Sequence, residues 1–325
     1  MSNDFIPEFK RIVADSDFDG LCGAAILKKY NPNAEVIFSH AALIRSGSMD
    51  EHIDSETAIV DLPFHDDCGW YLDHHQTNKP SDEQLVKFQS KGGVVDWQAT
   101  PSAARLVYEI IKPYCDLSNF LSVMPFVDAL DSGGITLKQF QDDGELMQFS
   151  RTLSKTEDKH MQNVVNLMSQ GSTIEEILSI PEVVTKLSIQ RDNRYKLREI
   201  VQSNTQIVDR LAICYLQDSG YSSNGYLVTA TFGDKVDACC IIHGYSDGEL
   251  NNQDRPPLSA SFYANSFITN GQGKYDLSRL ATRFDSNGGG HINACGCRIQ
   301  PPGLDNNLAT WLDMWHQRDT VLRVS

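Results

Sequence analysis

Basic tracts are missing from this 325-residue sequence, in which 28 lysines and arginines face 43 aspartates and glutamates for a formal net charge of −15. Proteins that hold long nucleic acid present basic stripes to its phosphates, so no stable complex with long nucleic acid is expected. The acidity leaves small phosphate substrates open, because bound divalent cations reverse the local potential. Membrane-spanning apolar runs are also missing, and the opening MSNDFIPEFK lacks the charged-then-apolar order of a signal peptide. The expectation is a cytoplasmic protein with no membrane association. Eight cysteines are scattered without zinc-type spacing, and Cys295 and Cys297 stand too close together to form such a pair. They read as strand residues with reduced thiols. No internal repeat and no low-complexity tract is present.

What remains is an ordinary globular composition, 41% hydrophobic and 22% charged, in a chain long enough for two domains. In the first half, short β-type runs alternate with helical patterns: RIVA, GLCGAAILKKY, AEVIFSH, TAIVDLP and GWYLDHH. The helix TPSAARLVYEIIKPY follows, with Thr100 read as its N-cap and Pro101 at its first position. Alternating strands and helices predict an α/β fold with a parallel sheet over residues 1–150. Residues 151–205 carry apolar residues at helical spacing amid many charges and read as a helical connector. Residues 206–325 offer the strand candidates LAICYLQ, YLVTATF, PLSASFYA and ACGCRI and the helices DLSRLATRF and LATWLDMWHQR. They read as a second, smaller α/β domain.

The densest chemistry lies in DSDFDG, where Asp15, Asp17 and Asp19 alternate before Gly20. Carboxylates this close resist joint ionisation unless a cation neutralises them. A calcium-binding EF-hand loop would need a glutamate twelve positions into the motif; Ile26 stands there, and RIVA reads as a strand, so that reading fails. The alternative puts the cluster at the carboxyl end of a strand, where open α/β sheets bind ligands. Alternate residues of an extended segment point one way, so Asp15 and Asp17 can face one site, and Gly20 permits the turn into the next helix.

Three further element ends carry similar groups. Asp61 closes AIVDLP, Asp73, His74 and His75 close GWYLDHH, and Asp128 and Asp131 stand in FVDALDSGG. Four such ends are too many for a solvated acidic surface. Carboxylates and imidazoles without a thiolate suit manganese or magnesium better than zinc. Five or so ligands suggest two metals, which can clamp the attacking and leaving oxygens of a phosphoryl displacement. The glycine run Gly288, Gly289, Gly290 before His291 reads equally as a phosphate cradle or as a flexible turn.

In this order the motifs DSDFDG, IVDLP, DHH, DSGG and SNGGGHINACG resemble the DHH phosphoesterase superfamily, over the whole chain. The resemblance implies a manganese-dependent hydrolase with its active site in the cleft between two α/β domains. It implies Asp15, Asp17, Asp61, His74 and Asp131 as ligands of two divalent ions, manganese preferred and magnesium compatible, with Asp61 bridging them. Asp17, Asp61, His74 and His75 form the implied catalytic set. Asp19, Asp73 and Asp128 support it, Asp128 being the alternative to Asp131. His75, Gly288, Gly289, Gly290 and His291 face the substrate, with Arg283 and Arg279 as weaker candidates from the helix just upstream. Two features depart from the family. Val13 and Arg11 occupy positions where many members place a histidine, and Ser261 stands where nucleotide-binding members often place an arginine.

The expected activity is hydrolysis of short oligonucleotides or of linear or cyclic dinucleotides, with Phe262, Tyr263 and Phe267 as candidates for stacking on a base. The alternatives are a RecJ-like single-strand exonuclease, an exopolyphosphatase or pyrophosphatase, and a non-catalytic nucleotide sensor. A homodimer is compatible with all of them.

Overall fold

The computed structural model describes residues 6–154, 157–252, 254–269 and 273–324. Its contacts divide the chain into two compact units: Met1–Ser132 with Glu145–Ser188, and Gly133–Gly144 with Ile189–Ser325. The stretch read as a connector is therefore shared between the units, its division falling inside the long helix Pro181–Ser203.

The first unit is an α/β layer structure around a parallel sheet. Its strands are β1 (Arg11–Asp15), β2 (Glu35–Ser39), β3 (Thr57–Val60), β4 (Trp70–Asp73) and β5 (Val94–Trp97), in the order β2-β1-β3-β4-β5. All four pairings are parallel. Every residue of β3 and β4 is buried, which is why TAIV and WYLD read as continuous apolar runs rather than alternating ones. The helix Phe18–Tyr30 follows β1, and its Leu21, Ala24, Ala25 and Ile26 join the unit's core with Val60, Trp70 and Leu72. The chain steps from β1 to β2 on one side and then crosses to β3 on the other. Between β1 and β3 the order reverses, and open α/β sheets bind ligands beyond the strand ends at such a switch point.

The helix after β5 begins later than the sequence suggests. It runs Ala103–Ile111, and its N-cap is Ser102, whose Oγ accepts from Arg105 N at 3.0 Å. Thr100 instead donates its hydroxyl to the Ser102 carbonyl at 2.7 Å.

The second unit holds a mixed sheet of β6 (Thr205–Val208), β7 (Leu211–Tyr215), β8 (Ala238–His243), β9 (Ser259–Ala264), β10 (Gly289–His291) and β11 (Ala294–Arg298). The order is β10-β11-β9-β8-β7-β6, with β7 and β8 parallel and the other pairs antiparallel. One sheet face, through Ile213, Cys240, Phe262 and Cys295, packs on Leu280, Trp311 and Trp315.

Three expectations are corrected here. YLVTATF lies not in a strand but in the helix Gly225–Phe232, capped by the Asn224 side chain accepting from Leu227 N at 3.4 Å. Thr229 and Thr231 donate to the Gly225 and Leu227 carbonyls, each at 2.7 Å, so β-branched residues that mimic strand alternation bond back along a helix. The helix in DLSRLATRF shrinks to Ser278–Ala281. The helical pattern running into TQIVDRL stops at Ser203, and Thr205–Val208 pairs with β7 as a strand. All eight cysteines are free thiols. Among the described residues, no helix is long and apolar enough to cross a membrane.

Candidate metal centre

The acidic element ends gather at the switch point. Asp15 ends β1, and its Oδ1 accepts from Ser16 N at 2.6 Å. Asp17 is the N-cap of the following helix and accepts from Gly20 N at 3.0 Å. Gly20 is required by space, since a Cβ there would lie 2.4 Å from the Asp15 carbonyl oxygen. Asp19 is buried, and its two oxygens accept from Ala103 N at 2.7 Å and Ala104 N at 2.6 Å. It thus satisfies two amides of a second helix N-terminus that lack partners within that helix, where a negative charge is favoured.

Asp61 follows β3 with a left-handed backbone, φ +59°, rare for a residue other than glycine. Its Oδ1 is buried and accepts no hydrogen bond among the described residues.

The DHH turn after β4 hangs on Asp73, which is fully buried. Its Oδ1 accepts from His74 N at 2.8 Å and contacts His75 Nδ1 at 2.8 Å. Its Oδ2 accepts from the Tyr71 hydroxyl at 2.7 Å and from Asn78 Nδ2 at 3.0 Å. The Trp97 indole donates to the His75 carbonyl at 2.9 Å.

His74 Nδ1 lies 3.0 Å from the Thr100 carbonyl, which can only accept, so that nitrogen carries the hydrogen. Nε2 is then the basic nitrogen, and it faces Asp131 Oδ2 at 3.2 Å, Asp19 Oδ2 at 3.5 Å and Asp61 Oδ1 at 3.6 Å. Around a divalent cation, the Nε2 lone pair and the three carboxylates can share one attractive centre. The remote hydrogen bond that fixes the tautomer is the support metal-binding histidines usually have.

The potential ligand atoms cluster tightly. Those of Asp19, His74 and Asp131 lie within 4.8 Å of one another, as do those of Asp61, Asp73, His74 and His75. The buried oxygen of Asp61, the imidazole lone pair and the carboxylate-rich donor set all fit a divalent ion of the manganese or magnesium kind.

Electrostatics bind the remaining acids to this set. Burial, then Asp17, pushes the Asp15 carboxyl well above its usual range. Asp17 reaches solvent but is crowded by protein, and this desolvation followed by the charge of Asp131 raises it to about 6. Burial, then Asp131 and Asp17, raises Asp19, and burial, then Asp19, Asp17, Asp131 and Asp15, raises Asp61. Asp73 is the exception: burial opposes its charge, but His75 and the hydrogen bonds hold it below its usual value. Burial likewise opposes charge on His75, yet Asp73 outweighs it and lifts the imidazole to about 9.

Two acids of the fourth motif separate clearly. On the helix Met124–Asp131, Asp131 turns to His74, whereas Asp128 accepts from Ser102 Oγ at 2.7 Å and from Arg105 Nε and Nη2 at 3.0 and 2.5 Å. Sequence reading passed over Tyr71, Asn78, Trp97, Ser102 and Arg105, which fix the cluster, because ordinary polar residues in varied contexts carry no spacing signal.

In the second unit, Gly289 and His291 sit in β10, paired with Gly296 and Ala294 of β11. Gly290 has φ +133°, and a Cβ there would lie 2.5 Å from the Ala294 carbonyl oxygen. Gly288 N donates to the Asp285 carbonyl at 2.9 Å, while the Asp285 carboxylate accepts from Asn287 N at 3.0 Å and Arg298 N at 2.9 Å. The glycine run is thus an ordered turn leading into a strand. Arg283 is exposed, with its guanidinium 5.8 Å from the Phe284 ring centroid. Arg279 donates to the Val321 carbonyl. Phe262 is not available to a base: it is fully buried, with its ring centroid 5.0 Å from that of Trp311. Phe267 packs on Phe140 and Tyr226, and Tyr263 is half-buried.

No protein-family model matches the sequence, and no curated protein matches it. Solved structures do. The pGpG-specific phosphodiesterase PggH from Vibrio cholerae aligns over 95% of this chain and 99% of its own, with 21% identity and a TM-score of 0.60. The DHH domain of a member of a ribosomal-protein family aligns over 98% and 88%, with 13% identity and a TM-score of 0.53. RecJ from Thermus thermophilus, in complex with Mn2+, aligns over 94% of this chain and 52% of its own, with 12% identity and a TM-score of 0.50. The chain has the DHH phosphoesterase fold.

Proposed function

We propose that this chain is a metal-dependent phosphodiesterase of the DHH superfamily that hydrolyses short oligonucleotides, linear dinucleotides foremost. The observation that carries the reading is the convergence of Asp19, Asp61 and Asp131 on the basic Nε2 of His74 at the sheet's switch point. Support for the substrate class comes from the end-to-end likeness to a pGpG-specific phosphodiesterase. The net charge of −15 also disfavours long nucleic acid.

In this reading Asp15, Asp17, Asp61, His74 and Asp131 hold two divalent ions, manganese preferred, and Asp19 joins them while anchoring the helix Ala103–Ile111. When bound, such ions polarise phosphoryl oxygens and lower the pKa of water. The chain's own residues set the stage. Thr100 holds His74 in one tautomer, and Asp73 holds the backbone and ring of His75. His75, whose ring Asp73 holds at 2.8 Å, is assigned to the substrate phosphate. In the second unit, the turn Gly288–Gly290 and His291 are assigned to the terminal phosphate or nucleoside.

The test is one reaction in manganese containing pGpG, a labelled RNA ladder of two to five nucleotides and a long single-stranded DNA, with Asp131→Asn run in parallel. Loss of the short substrates alone, and no turnover by the variant, supports the reading. Progressive shortening of the long DNA transfers the assignment to a single-strand exonuclease. No turnover of any substrate contradicts the proposal.

A further inference from the structure

The second unit contains a groove of about 340 Å³ lined by Phe140, Asp143, Arg191, Arg194, Tyr195 and Arg198, with Leu227, Ala230 and Thr231 closing one wall. The three arginines and Tyr195 all lie on the helix Pro181–Ser203 at spacings of three and four, which put them on one face. Three cations and one anion therefore line a small concavity in a protein of net charge −15.

The cations play different parts. Arg194 is built into the wall: it pairs with Asp143, donates to the Phe140 carbonyl at 2.7 Å and lies 4.5 Å from the Phe140 ring centroid. Arg198 is exposed and has no hydrogen bond or ion pair among the described residues, so its donors face the solvent of the groove. Arg191 is exposed about two turns back along the same face. Tyr195, between them, is 71% exposed. The Phe140 ring at the base is backed by Tyr226, stacked at 6.0 Å.

We infer that this groove is a binding site for a nucleoside phosphate. Guanidinium forks suit phosphate oxygens, and an exposed tyrosine ring with an apolar wall suits a planar base. The volume is that of a small-ligand pocket rather than of a protein interface. The groove shares no residue with the set assigned to hydrolysis, and the inference stands even where the hydrolase reading fails.

The experiment is a fluorescence titration of the full chain with N-methylanthraniloyl-GDP in excess EDTA, where no divalent ion supports binding at the acidic cluster. Saturable binding is expected, weakened about tenfold or more in Arg191→Gln/Arg198→Gln and unchanged in Asp17→Asn. Arg198→Gln alone, at an exposed residue with no ion pair among the described residues, is expected to keep the wild-type melting temperature and to weaken binding in the same direction. Tyr195→Ala, independently, narrows the preference for GDP over inorganic phosphate in competition. The inference is overturned by the absence of saturable binding or by equal affinity of the wild type and the arginine variant. It is equally overturned if a polyglutamate peptide displaces the probe as well as GDP does, which assigns the groove to an acidic protein segment.

Discussion

His74 gives its Nδ1 hydrogen to the carbonyl of Thr100, 3.0 Å away, and so turns a basic Nε2 toward Asp131 at 3.2 Å. The ring is 1% exposed at its side chain, and its orientation is held from behind by the backbone before a helix. His74→Asn removes the ring nitrogen that faces Asp131 without adding volume. Manganese affinity and phosphodiesterase turnover are each expected to fall at least about 100-fold, measured by metal titration and by initial rates.

Asp128 and Asp131 share a helix but not a task. Asp128→Ala leaves Arg105 and Ser102 without their acceptor, and the expected cost is about 1–3 kcal/mol of folding stability, with manganese stoichiometry unchanged. Asp131→Ala is expected to do the reverse, sparing denaturant stability in EDTA and removing metal binding. Paired urea melts and manganese titrations distinguish them.

The acidic ends of β1, β3 and β4 were legible because strands buried in a parallel sheet read as apolar runs, and these three stop at or just before a carboxylate. RIVAD, TAIVD and WYLD all end in this way. Less legible was whatever depends on which distant groups meet. Asp19 binds amides 84 and 85 residues away, and no spacing within DSDFDG announces it. YLVTATF alternates like a strand, and only the cap at Asn224 and the back-bonded threonines reveal the helix. The run from Gly288 read equally as a phosphate cradle or a flexible turn, and nothing in its composition announced an ordered turn held by Asp285.

Without metal, the cluster makes stability fall as the pH rises. Asp17 moves from 3.8 to about 6, so it binds its proton more tightly when folded. Its contribution is complete below the unfolded value and is lost as the pH climbs through about 6. Asp15, Asp19 and Asp61 shift the same way. His75 acts in the same sense: its contribution is full below 6.5 and lost as the pH passes about 9. In EDTA the melting temperature is expected to decline steadily between about pH 4 and pH 9. Added manganese, which replaces the protons, should flatten the profile at its upper end. Differential scanning fluorimetry across this range reads both curves, and a rise with pH in EDTA contradicts the assignment.

Gly20→Ala tests how tightly the first acidic turn is built. A methyl group 2.4 Å from the Asp15 carbonyl oxygen must displace the strand end or the helix start. The expected penalty is about 1–3 kcal/mol in a urea melt, together with weaker manganese binding, because Asp15 and Asp17 move with the backbone.

The most direct test of the metal centre is a manganese titration of the full chain followed by electron paramagnetic resonance, with Asp61→Asn alongside. About two equivalents of free-ion signal are expected to disappear on mixing with the wild-type protein, with binding lost or halved in the variant. An undiminished free-ion signal with the wild-type chain at neutral pH would contradict a metal centre built from these acids and His74.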